Sequence, residues 1–99
     1  MYVRNGDQFE WDEKKNETNL KKHGIDFETA QEVFSDPHVA DFTERIVVGG
    51  EERWLAFGSL DGSVLLAVSY TTMYDGDDEV IRIISARKAD ARERRKYAN

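Results

Sequence analysis

A polar helix with a thin apolar stripe is predicted near the start of the chain. It runs from Glu13 to His23, since Asp12 can cap its first turn and Gly24 can end it in a left-handed conformation. Within this predicted helix, Leu20 is the one residue that is clearly apolar. The polar residues that share its face, three or four positions away, are Asn16, Asn19 and His23. This helix is therefore either mostly solvated or polar on its inner face.

A second helix has the apolar spacing that the first one lacks. Over Phe27–Phe34, apolar residues recur on one helical face, with Asp26 as the predicted cap and Asp36-Pro37 as the end. Ahead of both helices, residues 1–8 are predicted as a loose end and Phe9–Trp11 as a brief edge strand.

After Pro37 the pattern changes to strand alternation. The predicted strands are Val39–Phe42, Arg45–Val48, Arg53–Leu60, Ser63–Thr72 and Glu79–Ala86, where Arg45–Val48 is either a second strand or a continuation of the first, interrupted near Thr43-Glu44. A turn is predicted at Gly49-Gly50, a hairpin at Asp61-Gly62 and an acidic turn over Asp75–Asp78. A basic helix follows the last strand. The order predicts an α+β fold, with two or three helices packed on a four- to five-stranded antiparallel sheet.

Charge divides the chain into two unequal parts. The last twenty residues, Val80–Asn99, hold seven basic and two acidic residues, whereas the rest holds seven basic and 18 acidic residues. The net charge of −6 argues against nucleic-acid binding over the whole surface. It is compatible with a local basic site in the last twenty residues. The 99 residues predict one domain over residues 1–99. The lack of cysteines and of a signal or membrane-spanning segment predicts a cytoplasmic protein.

Three segments taken together carry a family resemblance. They are FEWDEKKNETNLKKHGIDFETAQEVF (Phe9–Phe34), GEERW (Gly50–Trp54) and IRIISARKADARERRKY (Ile81–Tyr97). In this order and spacing they resemble the BrnT family, the toxin halves of type II toxin–antitoxin pairs. The resemblance covers about Phe9 to Tyr97 and implies a RelE-like ribonuclease fold.

The resemblance also implies an activity and a partner. It implies a cytoplasmic endoribonuclease that cleaves single-stranded mRNA without a metal ion or other cofactor. A BrnA-type antitoxin with a ribbon–helix–helix fold would neutralise it, and the toxin would reach DNA only through that complex. One position departs from the family pattern: Met73 stands where an arginine is expected, and an acidic turn follows it. Loss of that cation is expected to weaken phosphate binding.

RNA carries its own nucleophile, the 2′-hydroxyl, so cleavage needs proton transfer and charge stabilisation at the phosphate. Arginine suits the second task because its planar fork grips two oxygens and stays charged. Arg82 interrupts an apolar strand, and Arg87 stands at the predicted strand-to-helix corner. Both are predicted to hold the phosphate. For Arg82 the alternative is a rim residue paired with Glu79 or Asp78.

Glu93 and Tyr97 are the predicted acid and base. They are four residues apart and therefore share a face of the basic helix. If that face borders a cleft, both side chains can exchange protons with the reacting oxygens. If it packs on the sheet, Tyr97 fills the core and Glu93 pairs with an arginine. The sequence leaves both arrangements open.

Further polar residues are predicted to line the RNA path. They are Lys22, His23, Glu52, Arg53, Lys88 and Arg92. No metal site is predicted, because the acidic turn lacks the spacing of a calcium-binding loop. The alternative to an enzyme is a non-catalytic binding module, a co-repressor that clamps a DNA-binding partner. The net negative charge and Met73 favour that alternative.

Overall fold

The computed structural model describes residues 1–6, 8–48 and 51–98, with side chains described outside 41–48 and 51. The strands in chain order are β1 (Tyr2–Asn5), β2 (Phe9–Asp12), β3 (Ala40–Val48), β4 (Glu51–Leu60), β5 (Val64–Asp75) and β6 (Asp78–Lys88). The helices are α1 (Glu13–His23), α2 (Phe27–Ala30), a 3₁₀ helix (Gln31–Ser35) and α3 (Ala91–Ala98). The predicted turn at Gly49-Gly50 lies outside the described residues.

The α+β class is confirmed, but the sheet differs from the prediction in two ways. It has six strands in the order β1-β2-β6-β5-β4-β3, and the pairing of β2 with β6 is parallel. Residues 2–5, predicted as a loose end, form β1 because Val3 pairs with Trp11 and packs against the core. The strand at Phe9 is therefore an inner strand, between β1 and β6, rather than an edge.

Helix α1 has the predicted bounds, and its inner face is polar. The backbone N–H of Lys14 donates to Asp12, and Gly24 adopts a left-handed conformation with φ of 71°. Leu20 is 48% exposed, whereas Asn19 is 6% exposed. Asn19 donates to the carbonyls of Ile25 and Ala86, both at 2.8 Å, and accepts from the Ala86 N–H. Of the two arrangements left open, the polar inner face is the correct one.

The second predicted helix begins as α2 and tightens into the 3₁₀ helix. Asp26 caps it by accepting from the N–H of Thr29. Val33 then packs directly on β4 at Gly58, where an added Cβ would lie 2.6 Å from the Val33 Cγ1 atom. Glycine at this position permits the close approach of helix and strand.

The two faces of the sheet are covered differently. On the face toward α1 and α2, here called the helical face, the core is formed by Trp11, Ile25, Phe27, Ala30, Val33, Ala56, Leu66, Val68, Tyr70, Ile83 and Ala86. On the other face, here called the open face, α3 packs on one end of the sheet. That smaller cluster consists of Leu55, Phe57, Ala67 and Ala89 with Leu65 and Tyr97. Among the described residues, no helix has the length and apolar character needed to cross a membrane.

Candidate active site

A β-bulge in β6 determines which side chains reach the open face. Arg82 pairs with Thr71 and Arg87 pairs with Ala67, but the register shifts between these pairs because Ile84 is an extra residue in β6. Side chains alternate along a strand, so two residues five apart would ordinarily point to opposite faces. The extra residue cancels this difference. Arg82 and Arg87 therefore share the open face, about 13 Å apart along the sheet.

Arg82 lies at the centre of a polar row that crosses the sheet. Its cross-strand neighbour on β2 is Glu10. Arg82 donates to one oxygen of Glu10 from Nε at 2.8 Å and from NH2 at 2.7 Å. Arg4 of β1 approaches the other oxygen of Glu10 at 3.4 Å. Glu10 is only 7% exposed, and two guanidinium groups compensate its buried charge. The partner of Arg82 is thus Glu10, and not Glu79 or Asp78.

Arg87 forms a second arginine–carboxylate pair at the other end of the open face. It donates to the two oxygens of Glu93 at 2.6 and 2.9 Å, in the bidentate geometry that guanidinium favours. Glu93 also accepts from the N–H of Asp90, while Asp90 accepts from the N–H of Glu93, so the pair caps α3. Hydrogen bonding from Arg87 is the main cause that lowers the pKa of Glu93. Glu93 is therefore ionised at neutral pH.

The floor between the two arginines is polar. Ser69 and Ser85 face each other across β5 and β6, between the pairs that contain Arg82 and Arg87. Beside them, the buried Thr71 hydroxyl donates to the carbonyl of Glu52 on β4 at 3.0 Å. This floor offers hydroxyl groups along the line that joins the two guanidinium groups.

Arg53 extends the polar row onto β4. It precedes Trp54, which pairs with Tyr70, and it alternates with Leu55 on the open face. Its Nε atom is buried and has no hydrogen-bond partner among the residues that the structure describes. A buried, unpartnered donor on a cation can stabilise an oxyanion that reaches it.

Tyr97 lies apart from this row. Its hydroxyl donates to Asp36 at 2.5 Å, and Asp36 also accepts from the N–H groups of Ser59 and His38. These bonds, led by that from Tyr97, lower the pKa of Asp36 to about 2. The same bond to Asp36 raises the pKa of Tyr97. Tyr97 packs against the smaller cluster and Glu93 pairs with an arginine, as expected if this helix face lies against the sheet.

The remaining predicted RNA-binding residues are spread over several surfaces. Lys22 and His23 are in the last turn of α1 and line a cleft of about 300 Å³ that also includes Ser85. Glu52 is exposed on β4, Lys88 is exposed at the end of β6, and Arg92 is exposed in the first turn of α3. Ser85 is therefore the residue that joins the α1 cleft to the open face.

Glu10, Arg4 and the two serines were missed by sequence reasoning. Glu10 could have been found from its own pattern, because it is the polar residue between Phe9 and Trp11 in a strand whose apolar neighbours face the core. No pattern in the sequence indicates that Arg4 approaches Glu10.

Met73, which stands where an arginine is expected, lies on the open face. It pairs with Val80, two residue pairs along the strands from the pair of Thr71 with Arg82.

Comparison with known proteins identifies the family of this chain. The family model described as "Ribonuclease toxin, BrnT, of type II toxin-antitoxin system" matches residues 11–93. The crystal structure of the Brucella abortus ribonuclease toxin BrnT is similar, with a TM-score of 0.59 and 29% sequence identity. The match covers 81% of this chain and 92% of that one. Among curated proteins no match was found. The chain belongs to the BrnT family of ribonuclease toxins from type II toxin–antitoxin systems.

Proposed function

We propose that this protein is a metal-independent endoribonuclease that cleaves single-stranded mRNA on the open face of its sheet. The observation that carries the proposal is that Arg53, Arg82 and Arg87 share this face, with Glu93 beside the last of them. Cations aligned on a hydroxyl-lined surface match the alternating phosphates and riboses of an extended RNA strand.

The reaction needs only groups that the protein, the RNA and solvent supply. The 2′-oxygen attacks the adjacent phosphorus, and its proton passes to a carboxylate. The bond from phosphorus to the 5′-oxygen then breaks, and that oxygen takes a proton from solvent, to which the carboxylate returns the proton that it accepted. The products are a 2′,3′-cyclic phosphate and a 5′-hydroxyl end. Glu93 is our candidate proton acceptor, because it is ionised and adjoins the phosphate-binding Arg87. Glu10 is a positioning residue that orients Arg82.

Tyr97 has a different part in this proposal from the one predicted. Its hydroxyl already donates to Asp36, so it fixes the end of α3, and through α3 it holds Glu93 against Arg87. Lys22, His23, Glu52, Lys88 and Arg92 are spread over several surfaces, and we assign none of them to the reacting phosphate. The chain acts in the cytoplasm as one toxin domain over residues 1–99.

A type II toxin has a cognate antitoxin. We infer that this antitoxin is of the BrnA type, with a ribbon–helix–helix fold, and that the toxin reaches DNA only as part of their complex. The basic helix α3, with Arg95 and Lys96 in its last turn, offers an acidic partner a positively charged surface on an otherwise acidic protein.

The test is cleavage of an end-labelled single-stranded RNA by purified protein in EDTA. We expect cleavage by the wild type, and losses of about 10²- to 10⁴-fold in Arg87→Ala and Glu93→Gln. Arg95→Ala removes the same charge as Arg87→Ala from an exposed site on α3 and is expected to retain activity. Each variant is checked for folding by circular dichroism.

Two results would contradict the proposal. The first is RNA left intact by folded wild-type protein, with and without ribosomes, which favours the non-catalytic co-repressor. The second is an equal loss of activity in Arg95→Ala and Arg87→Ala, which would mean that total charge rather than the open face controls cleavage.

A further inference from the structure

The open face carries an exposed aromatic ring beside Arg82. Tyr2 of β1 is 54% exposed, although large aromatic side chains are usually buried in a small domain. The guanidinium carbon of Arg82 lies 4.2 Å from the centre of the Tyr2 ring. This contact occupies one side of the ring and orders it through a cation–π interaction. The exposed part of the ring faces solvent beside Arg82, on the open face.

Charge around this ring is balanced. Arg82 is matched by Glu10, and Arg4 is matched by Glu10 and by Asp75, whose oxygen is 3.3 Å from the Arg4 guanidinium. Because two carboxylates accompany the two arginines, the charge beside the ring does not by itself account for an exposed tyrosine here. A neutral, flat, aromatic group needs only a ring on which to stack.

The N-terminal strand β1 lies outside the residues that match the family model, which begin at residue 11. The family match therefore assigns no role to Tyr2 or Arg4. Their positions follow from the pairing of Tyr2 with Asp12 and of Arg4 with Glu10, which puts both side chains on the open face.

We propose that Tyr2 is a stacking platform for one unpaired nucleobase of the RNA substrate. The base stacks on the exposed side of the ring, and Arg82 supports the ring from the other side. This inference rests on the proposed function, because it places a nucleotide of the RNA substrate beside Arg82, about 13 Å along the open face from Arg87. It makes β1 part of the substrate-binding site, and it predicts that the base, not the backbone, is recognised here.

The experiment measures binding, so that it does not depend on cleavage. A labelled single-stranded oligonucleotide with 2′-O-methyl groups, which lacks the nucleophile, is titrated with each protein and followed by fluorescence anisotropy. The proteins are the wild type, Tyr2→Ala, Tyr2→Phe and Tyr74→Ala. Tyr74 is a matched control, since it is 71% exposed and pairs with Glu79 one residue beyond Met73, on the opposite face of the sheet.

We expect Tyr2→Ala to weaken binding by about 5- to 100-fold, and Tyr2→Phe and Tyr74→Ala to bind as the wild type does. Stacking releases no counterions, so the dependence of log Kd on log salt should keep its slope in Tyr2→Ala. A matched oligonucleotide with abasic positions should bind the wild type more weakly and Tyr2→Ala without further loss.

Four results would overturn the inference. Equal affinity of Tyr2→Ala and the wild type would exclude stacking. A reduced salt slope in Tyr2→Ala would mean that Tyr2 acts only by holding Arg82 against a phosphate. Failure of the folded wild type to bind the oligonucleotide would exclude the site altogether. If the wild type cleaves RNA while Tyr2→Ala cleaves it with unchanged KM, the inference fails and the proposed function stands.

Discussion

Asn19 joins α1 to the sheet. Its side chain makes three hydrogen bonds, to the carbonyls of Ile25 and Ala86 and from the N–H of Ala86, at distances of 2.8 to 3.1 Å. Ala86 pairs with Val68 on β5, but the pairing of β6 with β2 ends at Ile83, so among the described strands the other edge of β6 is free at Ala86. The asparagine thus satisfies backbone groups that the sheet leaves free, which is why a polar residue is buried here.

Replacing Asn19 by leucine should destabilise the protein by about 3 kcal/mol or more, because three backbone groups would be buried without partners. Urea unfolding followed by circular dichroism measures the change in the free energy of unfolding. The control is Leu20→Ala on the same helix, where the side chain is 48% exposed and a change below about 1 kcal/mol is expected. Similar losses in the two variants would contradict this account of Asn19.

At the scale of elements, α3 is held to the sheet by polar bonds at both ends. Glu93 bonds to Arg87 near its start, and Tyr97 bonds to Asp36 near its end. The described residues of α3 include no buried side chain. Since the apolar contact is small, the strength of these two bonds decides how firmly α3 stays in place.

The Asp36–Tyr97 bond should make stability depend on pH in two windows. The pKa of Asp36 falls from 3.8 to about 2 on folding, so its contribution is complete above about pH 4 and is lost as the pH falls toward 2. The pKa of Tyr97 is raised above 10.0, so its contribution is complete below pH 10 and is lost as the pH rises through the folded value.

The variant that tests this is Tyr97→Phe, with the thermal midpoint measured from pH 2 to pH 11. At pH 7 we expect it to be less stable than the wild type by about 1 kcal/mol, the usual loss for one hydrogen bond. Its midpoint should approach that of the wild type at both extremes of pH. Tyr74→Phe, an exposed tyrosine elsewhere, should follow the wild type throughout. A constant difference between Tyr97→Phe and the wild type would contradict the pH dependence.

For the whole molecule, the placement of charge matters more than its total. The protein carries a net charge of −6, yet its open face presents arginines from β4 and β6. A negatively charged molecule repels RNA at long range, but this repulsion is screened within about 10 Å at 0.1 M salt. Cations on the open face act inside that distance. Local charge on this face is therefore expected to control RNA affinity.

Met73→Arg should raise RNA affinity by roughly 3- to 10-fold at low salt, because it adds a cation two residue pairs along the strands from Arg82, on the same open face. Thr72→Arg is the matched control. It changes the net charge of −6 by the same single unit, but Thr72 pairs with Ile81, which packs on the helical face. Anisotropy titrations at two salt concentrations compare them. Equal gains in both variants would show that total charge, rather than its placement, sets the affinity.

Local signals determined much of the fold. The caps at Asp12 and Asp26, the stop at Gly24 and the hairpin at Asp61-Gly62 lie where short-range physics places them, since each depends on residues within a few positions. The pairing of Glu93 with an arginine was one of two arrangements that its helical spacing allowed. The three motifs also indicated the family, and the family model matches residues 11–93.

Tertiary structure decided which of the candidate residues share a face of the sheet. Period-two alternation puts Arg82 and Arg87 on opposite faces, and only the extra residue Ile84 brings them to one face. A bulge is defined by the register between two strands, so one strand's sequence does not reveal it. Likewise, β1 forms because β2 offers it a partner, and this pairing brings Tyr2 to Arg82 from eighty residues away in the chain. The sequence by itself determined the helices, the turns and the family, whereas long-range strand pairing determined which side chains meet.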